Sequence, residues 1–206
     1  MADHALTAAS PLAGYARTIG DVLLTEVGDY NLCSVAAPLG EDGALGKALV
    51  DSFDVPRPAT GQSSISTDGA TRLLGLQPDQ ILILFRADDP DRAADQVAAA
   101  MKTAAYVTDQ SDSWVLLALE GADVCPVLER LCMLDLDDAA FPAGAVSRTV
   151  MEHLSVIILR ERDNRFLLFN PRSSARSFLP AVETAAETVL LQSNEPVSVR
   201  HRRGTS

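Results

Sequence analysis

Short apolar segments that follow one another in adjacent pairs constrain the fold of this chain more than any other feature. The clearest pairs are residues 21–27 with 30–36, residues 71–75 with 80–85, and residues 107–111 with 113–120. Strands joined by so few residues pair as antiparallel hairpins, because a parallel connection needs about a dozen residues or more. A doubly wound parallel sheet would instead alternate strands and helices strictly. The sequence therefore predicts antiparallel sheets.

Helical spacing of apolar residues recurs between these pairs. The segments that carry it are residues 42–53, 88–105, 121–133 and 171–191. Pro180 lies within the last segment and predicts either a kink or the true start of that helix. Residues 145–160 are predicted to be mostly strand, and residues 166–169 a further strand. The order of elements predicts an α+β fold with two similar halves, each made of antiparallel strands covered by helices.

These patterns predict one folded domain with two terminal extensions. Residues 1–20 are small and polar, and we expect them to form an extended N-terminal arm. Residues 21–191 are expected to form the single domain, with halves at about residues 21–105 and 106–191. Residues 192–206 form a basic C-terminal tail, whose run RHRRG is either a frayed, solvated end or a contact with an anionic surface of a partner.

Charge and cysteine content narrow the class of protein. The net charge of -11 and the pI of about 4.6 argue against a nucleic-acid partner, since binding phosphates needs a basic face. No segment is apolar over the roughly 18 residues of a membrane span, and the N-terminus lacks the features of a secretory signal. The three cysteines, which have no CxxC spacing, indicate buried thiols in a reducing compartment. We therefore expect a cytoplasmic protein that binds neither nucleic acid nor membrane.

No motif predicts a catalytic, cofactor-binding or metal site. The histidines His4, His153 and His201 have no second histidine or cysteine at zinc-ligand spacing, and His153 is expected to lie on a strand. The segment GEDGALG at 40–46 lacks the lysine–serine end of a phosphate-binding loop and the GxGxxG spacing of a dinucleotide site. The nucleophile elbow GxSxG is also absent. We expect no catalytic residues in this chain.

The aspartates of the turn DLDDAAFPAG allow more than one interpretation. Asp135, Asp137 and Asp138 could form an acid–base pair or bind a hard cation. However, the turn lacks the alternating oxygen ligands that close on a glutamate in a calcium loop. A capped and solvated helix end is therefore the better interpretation of these three side chains.

Four residues are candidates for contacting a partner chain: Arg148, Thr149, Arg172 and Trp114. Each arginine follows an apolar strand or loop and precedes a change of direction, where a guanidinium can bind a carboxylate or a partner's backbone with two hydrogen bonds. The alternative for the arginines is an ion pair or a helix cap within the chain. Trp114, the sole tryptophan, either packs in the core at the start of a strand or anchors an interface.

The second half of the chain carries an ordered set of motifs that points to a known family. The set comprises the aspartate–serine segment at 109–111, the strand ending in EGA at 120–122, the LDLD and FPAG turn at 134–144, the Arg148–Thr149 pair and the helix entry at 172–173. The segment PDQILILF at 78–85 adds a looser match. On these motifs the chain resembles, over about residues 73–191, the gamma subunit of heterotetrameric sarcosine oxidase.

This resemblance implies a fold and a place in a complex. The fold is that of the folate-binding domain of the glycine-cleavage aminomethyltransferases. The complex is cytoplasmic, has alpha, beta and delta subunits as partners, and oxidises sarcosine with flavin to glycine, formaldehyde and hydrogen peroxide, or to methylene-tetrahydrofolate when folate is present. The large subunits of the family hold FAD, FMN and NAD, and the small delta subunit holds zinc. The resemblance therefore implies no cofactor and no catalytic residue on this chain alone.

Two alternatives to a sarcosine oxidase subunit stay open. The related N-methylglutamate dehydrogenase has the same four-chain plan, and its small subunit also resembles this chain. A stand-alone folate-dependent aminomethyltransferase would need a carboxylate near the folate ring, a role to which no segment here can be assigned. We expect a non-catalytic subunit of an oxidoreductase complex that serves the assembly and stability of that complex.

Overall fold

The computed structural model describes residues 9–40 and 42–194, and this part of the chain folds into two sheets and four α-helices. The strands are β1 Ala16–Ile19, β2 Val22–Val27, β3 Asn31–Ala36, β4 Ser63–Ile65, β5 Thr71–Gly75, β6 Gln80–Phe85, β7 Tyr106–Asp109, β8 Trp114–Glu120, β9 Val146–Met151, β10 Leu154–Arg162 and β11 Arg165–Pro171. The helices are α1 Asp42–Phe53, α2 Ala93–Met101, α3 Val124–Leu128 and α4 Ala175–Ser193. Short 3-10 turns, Pro90–Arg92 and Arg172–Ser174, precede α2 and α4.

Every strand pairing within the described residues is antiparallel. One sheet has six strands in the order β1-β2-β8-β11-β10-β9, and the other has five in the order β4-β5-β6-β3-β7. Helices α3 and α4 cover the six-stranded sheet, whereas α1 and α2 cover the five-stranded sheet. The predicted α+β fold, with antiparallel strands covered by helices, is confirmed.

The two sheets pack face to face and enclose the central core. Leu32, Leu82 and Leu84 of the five-stranded sheet pack there with side chains such as Leu116 and Phe169 of the six-stranded sheet. Because helices cover the outer faces, the central strands are buried on both sides, and they have continuous apolar sequences such as ILILF and VLLAL. The order of layers is therefore helix, sheet, sheet, helix.

Two of the predicted hairpins are wrong, because their strands belong to different sheets. β2 pairs with β8, where Leu24 lies opposite Leu119, while β3 lies in the five-stranded sheet. Likewise β7 pairs with β3, where Val107 lies opposite Val35, while β8 lies in the six-stranded sheet. Packed sheets lie about 10 Å apart, and three extended residues span about that distance. The three- and four-residue connections at 28–30 and 110–113 are thus long enough to cross between the sheets.

The exchange of strands links the two predicted halves. β2 precedes most of the first half but lies in the sheet built from the second half, and β7 of the second half completes the sheet of the first. Residues 16–19, expected in an extended arm, form edge strand β1 instead, because they find a pairing partner in β2. Residues 1–8 of the expected arm and residues 195–206 of the basic tail lie outside the described residues.

A tight hairpin interrupts the segment predicted as mostly strand at 145–160. Met151 of β9 lies opposite Leu154 of β10, so only Glu152 and His153 form the turn. Both have positive φ angles, 48° and 66°, as a two-residue type I′ turn requires. His153 was predicted on a strand, which is wrong: it lies exposed in this turn.

The helices are shorter than their apolar spacing predicts, except α1, which matches residues 42–53. Residues 88–105 contain a 3-10 turn followed by the nine residues of α2, and α3 ends at Leu128 rather than near residue 133. Helix α4 begins at Ala175 and contains Pro180, so this proline does not mark the start of the helix.

The EGA segment at 120–122 has a steric explanation. Gly121 has a φ of 145°, and a Cβ placed on it would lie 1.7 Å from the carbonyl oxygen of Asp21. Only glycine avoids that clash, because it has no side chain. Gly121 therefore lets the end of β8 lie directly against the start of β2.

Candidate functional site

The thiols and acids of the described residues do not form a reactive cluster. Among residues 9–40 and 42–194, no group of three or more His, Cys, Asp or Glu side chains could hold a metal ion. Burial raises the pKa of the Cys33 thiol to about 11, and burial also raises the pKa values of Cys125 and Cys132. Because the thiolate is the nucleophile and metal ligand, these thiols are unreactive at neutral pH.

The DLDDAAFPAG turn is built around a buried arginine that sequence reasoning missed. Arg160, on β10, is only 3% exposed. One terminal nitrogen, Nη1, donates hydrogen bonds to the carbonyl oxygens of Phe141 at 2.8 Å and Leu136 at 3.3 Å. The other, Nη2, donates to the carbonyl oxygen of Asp163 at 2.9 Å and to the Asp138 carboxylate. The turn is therefore held from inside by one guanidinium.

The remaining aspartates of the turn bind neighbouring backbone. Asp135 accepts a hydrogen bond from the backbone N–H of Asp137 at 3.0 Å, and Asp137 accepts one from that of Ala139 at 2.9 Å. They were expected at a capped helix end, but α3 ends at Leu128, so they stand in a loop. The sequence signal for this arrangement was Arg160, a charged residue directly after the apolar run VIIL.

Two of the predicted interface residues, Trp114 and Arg148, are brought together. Trp114 begins β8, and Arg148 lies on β9, with β11 and β10 between them. Both lie on the face of the six-stranded sheet that packs against the other sheet, because Arg148 lies opposite Ile157, a residue of the inter-sheet core. The Arg148 guanidinium lies 5.6 Å from the centre of a Trp114 ring, which is a cation–π contact.

Trp114 and Arg148 line one side of a cavity of about 100 Å³ between the sheets. The polar residues around it are Ser34, Gln77, Gln80 and Gln110, and the apolar ones are Leu76, Ile81 and Leu82. Gln80 donates a hydrogen bond to the Ser34 hydroxyl at 2.5 Å. The indole nitrogen of Trp114 is buried and has no hydrogen-bond acceptor within the described part of the chain.

The other two predicted interface residues lie elsewhere around this site. Thr149 follows Arg148 on β9, so its side chain lies on the opposite face of the strand. Arg172, directly after β11, donates a hydrogen bond to the carbonyl oxygen of Ala9 at 2.7 Å and lies 3.7 Å from the exposed carboxylate of Asp112. Arg172 thus holds the N-terminal segment of its own chain.

Arg172 and Trp114 also line a larger groove of about 510 Å³ at the end of the sheets where the chain crosses between them. Four acids stand along this groove: Glu26, Asp91, Asp109 and Asp112. Glu26 accepts hydrogen bonds from the backbone N–H groups of Leu12 at 3.2 Å and Gly14 at 2.8 Å. The N-terminal segment is therefore fixed at one wall of the groove.

None of the helices found within residues 9–40 and 42–194 combines the length and the apolar composition that crossing a membrane would take.

Comparison with known proteins finds that the chain is similar in sequence to a subunit of one enzyme complex. Over 157 residues it is 28% identical to sarcosine oxidase subunit gamma from Corynebacterium sp. (strain P-1), which covers 76% of this chain and 75% of that protein. No family model matches the chain. The predicted resemblance to the gamma subunit is confirmed by this relative.

Solved structures show the same fold. A chain of the heterotetrameric sarcosine oxidase from Corynebacterium sp. U-96, solved in complex with pyrrole 2-carboxylate, matches with a TM-score of 0.74 at 23% identity, covering 92% of this chain and 98% of that chain. The glycine cleavage system aminomethyltransferase T from Bartonella henselae matches with a TM-score of 0.50 at 18% identity. That match covers 81% of this chain but 49% of the aminomethyltransferase, so the fold corresponds to about half of that protein.

Proposed function

We propose that this chain is a non-catalytic gamma subunit of a heterotetrameric, flavin-dependent sarcosine oxidase, in which it serves assembly and stability. The observation that carries the proposal is the agreement in fold over nearly the whole of both chains, 92% of this one and 98% of its counterpart in a solved sarcosine oxidase. A curated gamma subunit, similar in sequence over three-quarters of each chain, supports the same role.

The partners in this proposal are the alpha, beta and delta subunits. The complex oxidises sarcosine to glycine and formaldehyde with production of hydrogen peroxide, or forms methylene-tetrahydrofolate when tetrahydrofolate is present. The proposal assigns FAD, FMN and NAD to the large subunits and zinc to the delta subunit, with the whole complex in the cytoplasm. This chain contributes a folded surface, and its partners contribute the reacting groups.

The edge strand β9 is the part of the surface that we propose to contact a partner. Val146, its first residue, donates a hydrogen bond to the carbonyl oxygen of Gly61 at 3.0 Å. Beyond that residue no described strand lies along the outer side of β9. Unpaired backbone groups on a sheet edge are a template for another chain. Arg148 and Thr149 lie on this strand, and Val150 beside them is 62% exposed.

A coexpression experiment tests the proposed role. This chain, carrying an affinity tag, is produced with the alpha, beta and delta chains of a heterotetrameric sarcosine oxidase from the same organism. We expect all four chains to purify together and the complex to oxidise sarcosine with production of hydrogen peroxide. A tagged chain that folds but retains none of the other three would overturn the proposal.

Two exposed valines give a matched pair of variants for the contact on β9. Val150→Glu places a charge on the edge strand, whereas Val50→Glu places the same charge on α1, where Val50 is 48% exposed. We expect Val150→Glu to reduce the yield of the four-chain complex at least about tenfold, since burying an unpaired carboxylate in an interface is costly. Val50→Glu should assemble normally, and equal yields for the two variants would contradict a contact through β9.

The same preparations separate the alternatives. Preferential oxidation of N-methylglutamate over sarcosine by the purified complex would assign the chain to an N-methylglutamate dehydrogenase. Tight and saturable binding of tetrahydrofolate to the chain without partners, measured by calorimetry, would favour a stand-alone folate-dependent aminomethyltransferase.

A further inference from the structure

We propose that the cavity beside Trp114 and Arg148 binds the carboxylate group of a small organic acid. This site goes beyond the role of a subunit, because all of its residues belong to this chain. Trp114 and Arg148 lie on the six-stranded sheet, and Ser34 and Gln80 on the five-stranded sheet, so the site exists only where the two sheets meet.

The charge of the residues around the cavity favours an anionic ligand. The chain has a net charge of -11, yet the residues that line this cavity include an arginine and no acid. Other arginines form ion pairs with carboxylates of the chain: Arg17, Arg86, Arg160, Arg162, Arg165 and Arg172. Arg148, an exposed residue that lines the cavity, has neither an ion pair nor a side-chain hydrogen bond among the described residues, and its guanidinium lies over the Trp114 ring. A guanidinium fork suits a carboxylate, which it binds with two parallel hydrogen bonds.

A buried hydrogen-bond donor without a partner also favours a ligand that accepts hydrogen bonds. The indole N–H of Trp114 is buried without an acceptor in the described part of the chain, and buried donors are nearly always paired. Trp114 and Arg148 line the same cavity, so a ligand there lies beside both side chains. A carboxylate has two oxygens and accepts from both groups at once. A cation or a hydrogen-bond donor would leave the indole N–H without an acceptor.

The size of the cavity restricts the ligand to a small molecule. The cavity of about 100 Å³ is well below the ~300 Å³ at which pockets for drug-sized ligands begin. Leu76, Ile81 and Leu82 provide an apolar wall beside the polar donors. The site therefore suits an acid with a short apolar chain of a few carbon atoms, and it is too small for a nucleotide.

The tryptophan itself reports on binding. Trp114 is the only tryptophan of the chain, so its fluorescence comes from this site alone. The full chain, without any partner, is titrated with acetate, propionate and butyrate at constant ionic strength, and acetamide serves as an uncharged ligand of the same shape as acetate. A partner's Asp or Glu could offer the same group, but titration without a partner measures the small acids alone.

We expect a saturable change of fluorescence with at least one of the three acids and none with acetamide. Arg148→Met, which keeps the length of the side chain but removes the charge, should abolish the saturable response, and Arg148→Lys should weaken it about tenfold because an ammonium lacks the planar fork. Arg92→Met is the control, since it makes the same change at an exposed residue outside the cavity. Thermal unfolding of each variant confirms that it is folded.

Three results would overturn the proposal: no response to any of the acids, a response to acetamide equal to that of acetate, or an unchanged response in Arg148→Met. Should that variant fail to fold, the comparison of acetate with acetamide on the unaltered chain still decides the question. The outcome is independent of the coexpression experiment, because a subunit that assembles normally can lack this ligand and the reverse also holds.

Discussion

At the scale of single residues, Arg160 shows how one buried charge can organise a turn. The sequence marks the DLDDAAFPAG segment as a turn, since it combines aspartates, proline and glycine. The residue that holds it lies on β10, some twenty residues further along, and serves carbonyl groups of Leu136, Phe141 and Asp163. An arginine within an apolar strand marks Arg160 as unusual, but the carbonyl groups that it binds leave no mark in a sequence pattern, so its partners could not be predicted.

Replacing Arg160 by methionine tests that interpretation. We expect Arg160→Met to lower the free energy of unfolding by about 2–4 kcal/mol, because buried carbonyl groups lose their donor. Asp138→Asn removes the charge of the one acid that pairs with this arginine within the described residues, but the Asp138 side chain is 83% exposed, so we expect a loss below about 1 kcal/mol. Urea unfolding measures both. Equal losses would show that the ion pair, rather than the bonds to carbonyl groups, holds the turn.

Tyr15 gives the stability of the chain a pH dependence on the alkaline side. Its hydroxyl donates a hydrogen bond to Glu183 of α4 at 2.6 Å, and burial together with this bond raises the pKa of Tyr15 from 10.0 to about 12. A raised pKa contributes stability that is fully present below the unfolded value and is lost as the pH rises through the folded value. We therefore expect the free energy of unfolding to fall between pH 10 and pH 12.

Tyr15→Phe is the variant that isolates this contribution. It should flatten the decline of stability over the same pH interval, measured by urea unfolding at each pH. In absorbance titrations it should also remove the ionisation that has the raised pKa of Tyr15. Tyr106→Phe, at an exposed edge position, serves as the control and should leave the decline as it is. An identical slope in Tyr15→Phe would contradict the assignment.

At the scale of elements, turn residues and the local spacing of apolar residues predicted the bounds of some strands and of one helix correctly. The predicted segments 71–75 and 80–85 are β5 and β6, and residues 42–53 are α1, because turn residues and apolar spacing set these bounds locally. The turn between β9 and β10 was missed because Glu152 and His153 are not the asparagine and glycine that usually mark a two-residue turn. The partners of β2 and β7 were missed because pairing between distant strands depends on the whole fold.

The β9–β10 turn predicts a stabilising substitution. Glu152 and His153 adopt left-handed backbone conformations that side chains with a Cβ disfavour. We expect the double substitution Glu152→Asn and His153→Gly to raise the free energy of unfolding by about 1 kcal/mol, since this pair is preferred in type I′ turns. Thermal or urea unfolding measures the change. His153→Ala retains the strain and should give no gain, and a lower stability of the Asn-Gly variant would speak against a type I′ turn.

At the scale of the whole molecule, the two predicted halves form one structure because each contributes a strand to the sheet of the other. β2 joins the six-stranded sheet, and β7 joins the five-stranded sheet. The six-stranded sheet assembles one side of the carboxylate site, since β11 and β10 place Trp114 and Arg148 on one face of it. The sequence singled out both residues, but as separate interface candidates. Their contact, the cavity beside them and the role of the opposite sheet depend on packing between sheets, which no local pattern contains.

The strand exchange predicts that neither half folds alone. A fragment of residues 1–105 keeps β2 without its neighbour β8 and exposes the inter-sheet side chains Leu32, Leu82 and Leu84. A fragment of residues 106–206 keeps β7 without β3. We expect each fragment to lack a cooperative thermal transition and near-ultraviolet circular dichroism, because each loses the opposing sheet that covers its apolar face.

Mixing the fragments should restore both signals, since the missing strand pairs and the inter-sheet core can then form between two chains. The Trp114 fluorescence of the second fragment gives a separate readout, because Ser34 and Gln80 of the first fragment line the same cavity. A cooperative transition in the fragment 1–105 alone would mean that the five-stranded sheet with α1 and α2 is stable without the other sheet. The inter-sheet core would then be a docking surface between two independent units rather than the centre of a single one.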